Sequence, residues 1–385
     1  MFEIVNTPRD YAWGSTSAIA GLLGTVPSGS PEAELWLGDH PACPARVKST
    51  GQSLIAWGAS HPERFGTGPL PFLLKVLAAE SPLSIQAHPT RVQAEHGFAA
   101  ENAAGLDPDS PNRNFRDANH KPEVIVALSD FSALCGFRPS AERASIIAEL
   151  IHQGIPGSSE LASAVTAGLD VAVEWMLTRG DGMNELVEAL SAGIRAPSDA
   201  VVDDAFETAR VLSGHFPGDP GIGVSILLNH VMLRPGEALF LPAGNIHAYL
   251  HGLGIEVMAA SDNVLRGGLT SKHVDIPELL DVLDFRELHE PRLDATESNG
   301  VRTFDPGLDD FILTEIEAHH DVHIAISGPA IAIAVAGEVM LYSEAECGLP
   351  RGSSVFIEAG ETVHRVTGTG RIFVAHSPTR NFSKT

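Results

Sequence analysis

Three cysteines in 385 residues, Cys43, Cys135 and Cys347, stand far apart with no Cys-x-x-Cys spacing. That argues against a disulfide framework and a thiolate zinc site, and they read as reduced core residues. No run approaches eighteen consecutive apolar residues, so no transmembrane helix is expected. The opening Met1-Phe2-Glu3-Ile4-Val5-Asn6 lacks the basic segment and apolar stretch of a secretory signal, and a cytoplasmic location is expected. Positive charge is scarce as well: 25 Lys and Arg against 49 Asp and Glu give a net charge of -24. A nucleic-acid or anionic-membrane surface needs a broad basic face, and none can be built here. The same scarcity sets a condition on an anionic substrate, because the few cations near its site must overcome an unfavourable global field. Lys75, Lys121 and Lys272 fall close to the motifs described below.

What is present is an ordinary folded composition, 44% hydrophobic and 19% charged, long enough for two or three domains. As far as Pro139, short apolar runs such as Pro71-Phe72-Leu73-Leu74-Lys75-Val76-Leu77 alternate with Gly, Pro and Asp turns, which predicts β-rich structure. From Ser140 to Ser213 the spacing is helical, with Ser158, Asp181 and Ser198 placed as N-caps. After the turn-rich stretch Phe216-Pro217-Gly218-Asp219-Pro220-Gly221, strands resume with Val224-Ser225-Ile226-Leu227-Leu228. They continue to the C-terminus, broken by a helix near Pro277 to Leu283.

The late β region repeats itself. Arg234 to Gly244 follows the same turn, strand, turn pattern as Pro350 to Gly360, and repeated short strands with Gly and Pro corners suit a double-sheet jelly roll of cupin type. The predicted fold is therefore mainly β with a helical insertion (α+β): two cupin jelly-roll barrels plus an all-helical domain. The expected units are 1–139 and 221–289 for the first barrel, 140–220 for the helices and 290–385 for the second barrel. His247 lies three residues beyond Gly244, whereas His364 lies four beyond Gly360. A one-residue offset on a strand turns a side chain to the opposite face, so the second barrel is expected to be structural.

Three motifs carry chemistry. Ser84-Ile85-Gln86-Ala87-His88-Pro89 puts Gln86 and His88 on one face of a β-type run, with Ser84 on that face too. His120-Lys121-Pro122-Glu123 leads into the apolar strand Val124-Ile125-Val126-Ala127-Leu128. Pro242-Ala243-Gly244-Asn245-Ile246-His247-Ala248-Tyr249 closes a second apolar run. Together they offer Gln, His, Glu and His. Taken alone, each is more often a hydrogen-bonded or solvated polar residue than a ligand.

In these motifs, and in Asp10-Tyr11-Ala12-Trp13-Gly14, Ala33 to Pro41, Gly254-Ile255-Glu256-Val257-Met258 and Ser261-Asp262-Asn263-Val264-Leu265-Arg266, the chain resembles the type I mannose-6-phosphate isomerases, zinc-dependent cupin enzymes. The resemblance runs nearly the whole length. It departs at Thr270-Ser271-Lys272, where the family usually has Thr-Pro-Lys.

The resemblance implies Gln86, His88, Glu123 and His247 as ligands of one Zn2+ per chain. Two imidazoles, a carboxylate and an amide oxygen without a thiolate are a donor set suited to zinc, though open to other divalent ions. It further implies interconversion of mannose 6-phosphate and fructose 6-phosphate through an enediol, with Arg266 active. Ser84 and Lys272, then Lys75, are the implied phosphate contacts. Moving a proton between C1 and C2 needs an acid/base group, for which Glu256, His120 and Lys121 are the candidates. The expected partner is a small-molecule phosphosugar, with no nucleic acid or membrane, and the expected state is a monomer. Two alternatives stand beside this reading: an iron-dependent cupin oxygenase, and a catalytically silent sugar-phosphate-binding protein. The run His319-His320-Asp321-Val322-His323 reads as exposed turn chemistry, and Trp36 and His251 as packing or hydrogen-bonding residues.

Overall fold

The computed structural model describes residues 1–66, 68–195, 199–288 and 292–378. It is mainly β, with two antiparallel sheets of nine and ten strands and a layer of helices. No helix among the described residues is long and apolar enough to cross a membrane.

The nine-stranded sheet is organised around the thirteen-residue strand His247–Ala259. Its second half pairs with Phe72–Ala79 on one side and Glu123–Ala127 on the other, while its start pairs with Gln86–Ala87 and Phe131–Phe137. A bulge between Tyr249 and His251 marks the change of partners. Gly252 follows it at φ 125°, where a Cβ would lie 2.7 Å from the Asp130 carbonyl oxygen, so only glycine permits the crossing. All eight residues of Phe72–Ala79 are buried, and strand alternation divides them between two environments. Leu74, Val76 and Ala78 join the core between the sheets. Lys75 and Leu77 face a cavity on the other side, as Glu34 and Trp36 do from Glu34–Leu37 and Glu256 and Met258 from the long strand.

In the ten-stranded sheet the long strands Ala330–Tyr342 and Thr362–His376 pair along their length around an apolar interior that includes Ile316, Val339, Leu341, Val355 and Val374. Phe2–Val5 pairs with Ser354–Ile357 and with Arg46–Val47. Two early strands within the expected unit 1–139 thus pair in the ten-stranded sheet. Local sequence carries no record of a partner so distant. The expected boundary at 289 and 290 lies outside the described residues.

Helices Ser140–His152, Ser158–Ala167, Leu169–Leu177, Met183–Ala192 and Ala200–His215 bury Ile146, Leu161, Met176, Leu186 and Phe206 in a core that is continuous with Ile85, Ala87 and Leu265. The helical layer thus buttresses the short strands beside the cavity. A polar chain adds to this: Ser132 Oγ meets His230 Nε2 at 2.8 Å, His230 Nδ1 meets Asp204 at 2.6 Å, and Arg138 donates to Asp204 at 3.1 Å.

Details of the helices differ from the sequence reading. The N-cap positions are Gly157 and Gly182 rather than Ser158 and Asp181, both left-handed and without a side-chain cap. The two turns touch, and a Cβ on Gly157 would lie 2.2 Å from the Gly182 carbonyl oxygen, so close approach outweighs capping here. Ser198 lies outside the described residues, and Asp199 caps Ala200–His215. Gly221–Ser225 is helical, and the strand expected from Val224 begins at Leu228. A helix at Arg91–Ala103, opened by a Thr90 and Gln93 capping box, stands within the stretch expected to be β-rich.

Candidate active site

His247 opens the long strand, with Gln86 as its register partner on one neighbour, and Gln86 in turn faces Arg266. Glu123 opens the strand opposite Met258. These starting points gather His88, Glu123 and His247, whose ligand atoms all lie within 4.8 Å of one another. All three residues are buried.

The tautomers follow from the hydrogen bonds. His88 Nδ1–H donates to the Asn263 carbonyl at 2.7 Å, and His247 Nδ1–H donates to the Asn245 carbonyl at 3.0 Å. With Nδ1 protonated, a neutral ring presents a bare lone pair at Nε2. The two Nε2 atoms face Glu123 oxygens at 3.4 and 3.5 Å. His88 Nε2, His247 Nε2 and Glu123 Oε2 have no hydrogen-bond partner among the described residues. Burial, aided by the charge of Lys121, pushes His88 down to about 4, so at neutral pH it carries no proton to bridge that gap. Lone pairs directed at a buried carboxylate repel unless a cation lies between them. The donor set and its orphaned atoms therefore fit a divalent metal such as zinc.

Glu123 also lines a cavity of about 880 Å³. Ser84, Gln86, Lys75, Lys121, Glu256, Arg266 and Lys272 all line it. Lys121 reaches Glu123 at 3.0 Å. Burial works to raise Glu123, but Lys121 and His88 prevail and hold it well below the usual carboxylate range. Glu256 goes the other way: burial raises it, Lys75 opposes, and the nearby Glu123 and Glu34 reinforce the rise. Lys75, against the effect of burial, is held protonated by Glu256 at 3.0 Å and Glu34 at 3.5 Å. Glu34 also accepts from Trp36 Nε1 at 2.9 Å.

Two expectations change. His120 is not in the cavity lining, because its Nε2 is bonded to Asp310 at 2.9 Å. The ammonium of Lys75 is enclosed by two carboxylates, so Lys75 fixes Glu256 and Glu34 rather than standing ready for phosphate.

The opposite character appears where Arg266 and Lys272 meet Arg116 at the cavity wall. Burial and the neighbouring cations lower both Arg266 and Lys272. Among the described residues, no salt bridge to an acidic group is formed by any of the three. Arg116 escaped the sequence reading, as did Asn263, which organises its loop. Asn263 Oδ1 accepts from the Arg116 and Asp117 amides while its carbonyl fixes His88. The Ser261 to Arg266 block was the available signal. His319, His320, His323 and His364 are exposed.

The family model of the type I phosphomannose isomerase catalytic domain matches residues 1–140. The mannose-6-phosphate isomerase of Salmonella typhimurium is 36% identical, covering 97% of this chain and 98% of its own. The chain belongs to the type I phosphomannose isomerase family. The human mannose-6-phosphate isomerase is 32% identical, with 94% of each chain covered. A crystal structure of mannose 6-phosphate isomerase bound with zinc and yttrium superposes with a TM-score of 0.88 at 34% identity, covering 97% of this chain and 98% of that one.

Proposed function

We propose that the chain interconverts D-mannose 6-phosphate and D-fructose 6-phosphate with one Zn2+ per chain, acting as a monomer built on two cupin-type barrels and a helical insertion. The observation that carries this is the His88, Glu123 and His247 cluster, whose Glu123 reaches a cavity also lined, on another side, by cations that have no acidic partner among the described residues. A dianionic phosphate suits the cationic side, where Arg116, Arg266, Lys272 and the Ser84 hydroxyl supply charge-assisted donors. The sugar's reacting carbons then lie toward the cluster.

His88, Glu123, His247 and Gln86 would hold a zinc ion, which would supply Lewis acidity at the substrate's carbonyl and hydroxyl oxygens. Glu256, raised by its surroundings and steadied by Lys75, takes the proton from C2 and returns it to C1, while the hydroxyl proton passes from O2 to O1 and the composition is unchanged. Lys121, beside Glu123, adds fixed positive charge facing the enediolate. Arg266 keeps its charge at any working pH and orients the substrate. The oxygenase and silent-binder alternatives find no support among the relatives.

A coupled assay with mannose 6-phosphate, joined to metal analysis, tests the reading. Wild type should turn over with about one zinc per chain. Glu123→Ala should lose metal together with activity, and Arg266→Ala should keep its metal but lose roughly 100-fold in kcat/KM. Turnover of Glu123→Ala at the wild-type rate overturns the metal assignment.

A further inference from the structure

Six buried side-chain atoms lack a hydrogen-bond partner among the described residues. Three belong to the His88, Glu123 and His247 cluster. Two are the Nε atoms of Arg138 and Arg143, whose other guanidinium nitrogens are engaged. The last is the hydroxyl of Tyr249. Tyr249 is 1% exposed, yet it lines the active cavity. Two residues beyond His247, it shares that residue's strand face, and its ring stands 6.1 Å from the His247 ring and 5.3 Å from Phe131. The ring is therefore fixed by packing; among the described residues the hydroxyl has no partner at hydrogen-bond distance, and the Glu256 carboxylate is close enough to interact with it. Buried hydroxyls are normally satisfied, and an orphan at a cavity wall marks a place where a ligand completes the bonding.

We propose that the Tyr249 hydroxyl is a positioning and catalytic hydrogen-bond donor to an oxygen on C1 or C2 of the bound phosphosugar. This rests on the isomerase reading above. A phenol is protonated at neutral pH and able to donate. A donor directed at an oxygen that gains charge in the enediolate acts more strongly in the transition state than in the ground state.

The test is Tyr249→Phe, which keeps the ring and removes one oxygen. A structural hydroxyl and a substrate-directed one predict opposite outcomes. If the hydroxyl serves substrate, Tyr249→Phe keeps its zinc content and melts at or above the wild-type Tm, because an unpaired buried polar group has been removed. Its kcat and kcat/KM then fall together by roughly 10- to 100-fold, with KM little changed. Wild-type kcat in Tyr249→Phe overturns the proposal, as does a lowered Tm or lost zinc that accounts for the activity loss. Wild-type protein is assayed first. If it fails to turn over mannose 6-phosphate while retaining zinc, the isomerase reading falls, and this proposal with it; if only the variant behaves as wild type, the proposal alone falls.

Discussion

The two sheets share a turn-and-strand device and use it for opposite ends. Gly236 and Gly244 flank Ala238–Leu241 at φ 89° and 80°, and Gly352 and Gly360 flank Ser354–Ile357 at φ 84° and 81°. Beyond the device the sheets diverge. In the nine-stranded sheet the next histidine, His247, is 1% exposed and directed at Glu123. In the ten-stranded sheet the corresponding histidine, His364, is exposed, and the interior is filled with aliphatic side chains. A frame of strands does not decide between core and active site. A few inward positions do, and one residue of offset is enough to remove a polar group from the inside.

The sharpest way to break that comparison is to alter the two histidines in parallel. His247→Ala should lose its metal and lower kcat by at least about 10³-fold, the scale of several kcal/mol of lost Lewis-acid stabilisation. His364→Ala should leave metal content and kcat at wild-type values, and a matching loss in both variants would erase the distinction. Leu341→Ala probes the other side, since Leu341 is 1% exposed within the aliphatic interior. Denaturant unfolding should show about 2–5 kcal/mol of lost stability, with kcat unchanged at temperatures where the variant remains folded. Were kcat to fall in proportion, the ten-stranded sheet would be more than a scaffold.

A smaller effect is expected at Asp204, which anchors the helical layer through His230 and Arg138. Asp204→Ala should cost about 1–2 kcal/mol by leaving partners unpaired. Burial works to raise this carboxyl, but its bonds from His230 and Arg138 lower it below the usual range. A lowered folded-state pKa gives stability that is fully present above the unfolded value and lost as pH falls through the folded one. In acid titrations followed by thermal melting, the gap between wild type and Asp204→Ala should therefore narrow as pH drops below the ordinary carboxylate range. A gap that stays constant would deny Asp204 this role.

Part of the site could be read from the chain: Gln86, Glu123 and His247 open strands and His88 follows the first of them, while the resemblance is what groups the four as ligands. Arg116 could not be read that way. It reaches the cavity through a loop shaped by Asn263, and an aperiodic loop leaves no spacing signal. Tyr249 stood inside a recognised motif, but the loneliness of its hydroxyl is a property of packing. Among the elements, the helix Arg91–Ala103 was legible in its Thr90 and Gln93 pair and was overlooked. The apolar run at Val224 illustrates a real ambiguity, since a buried helical turn and a buried strand have the same composition.

The strand Phe2–Val5 has a consequence for how the molecule comes to exist. One of its two neighbours in the sheet is more than three hundred positions away, and the Ile4 carbonyl receives a bond from Ser354 across a separation of 350 residues. On the ribosome, this early segment emerges long before that partner is synthesised, and the side of the strand that will face Ser354–Ile357 passes the interval as an open edge. Closure of the second sheet along this edge is therefore a late step in folding, and the open side of the strand is exposed hydrogen-bonding backbone until then.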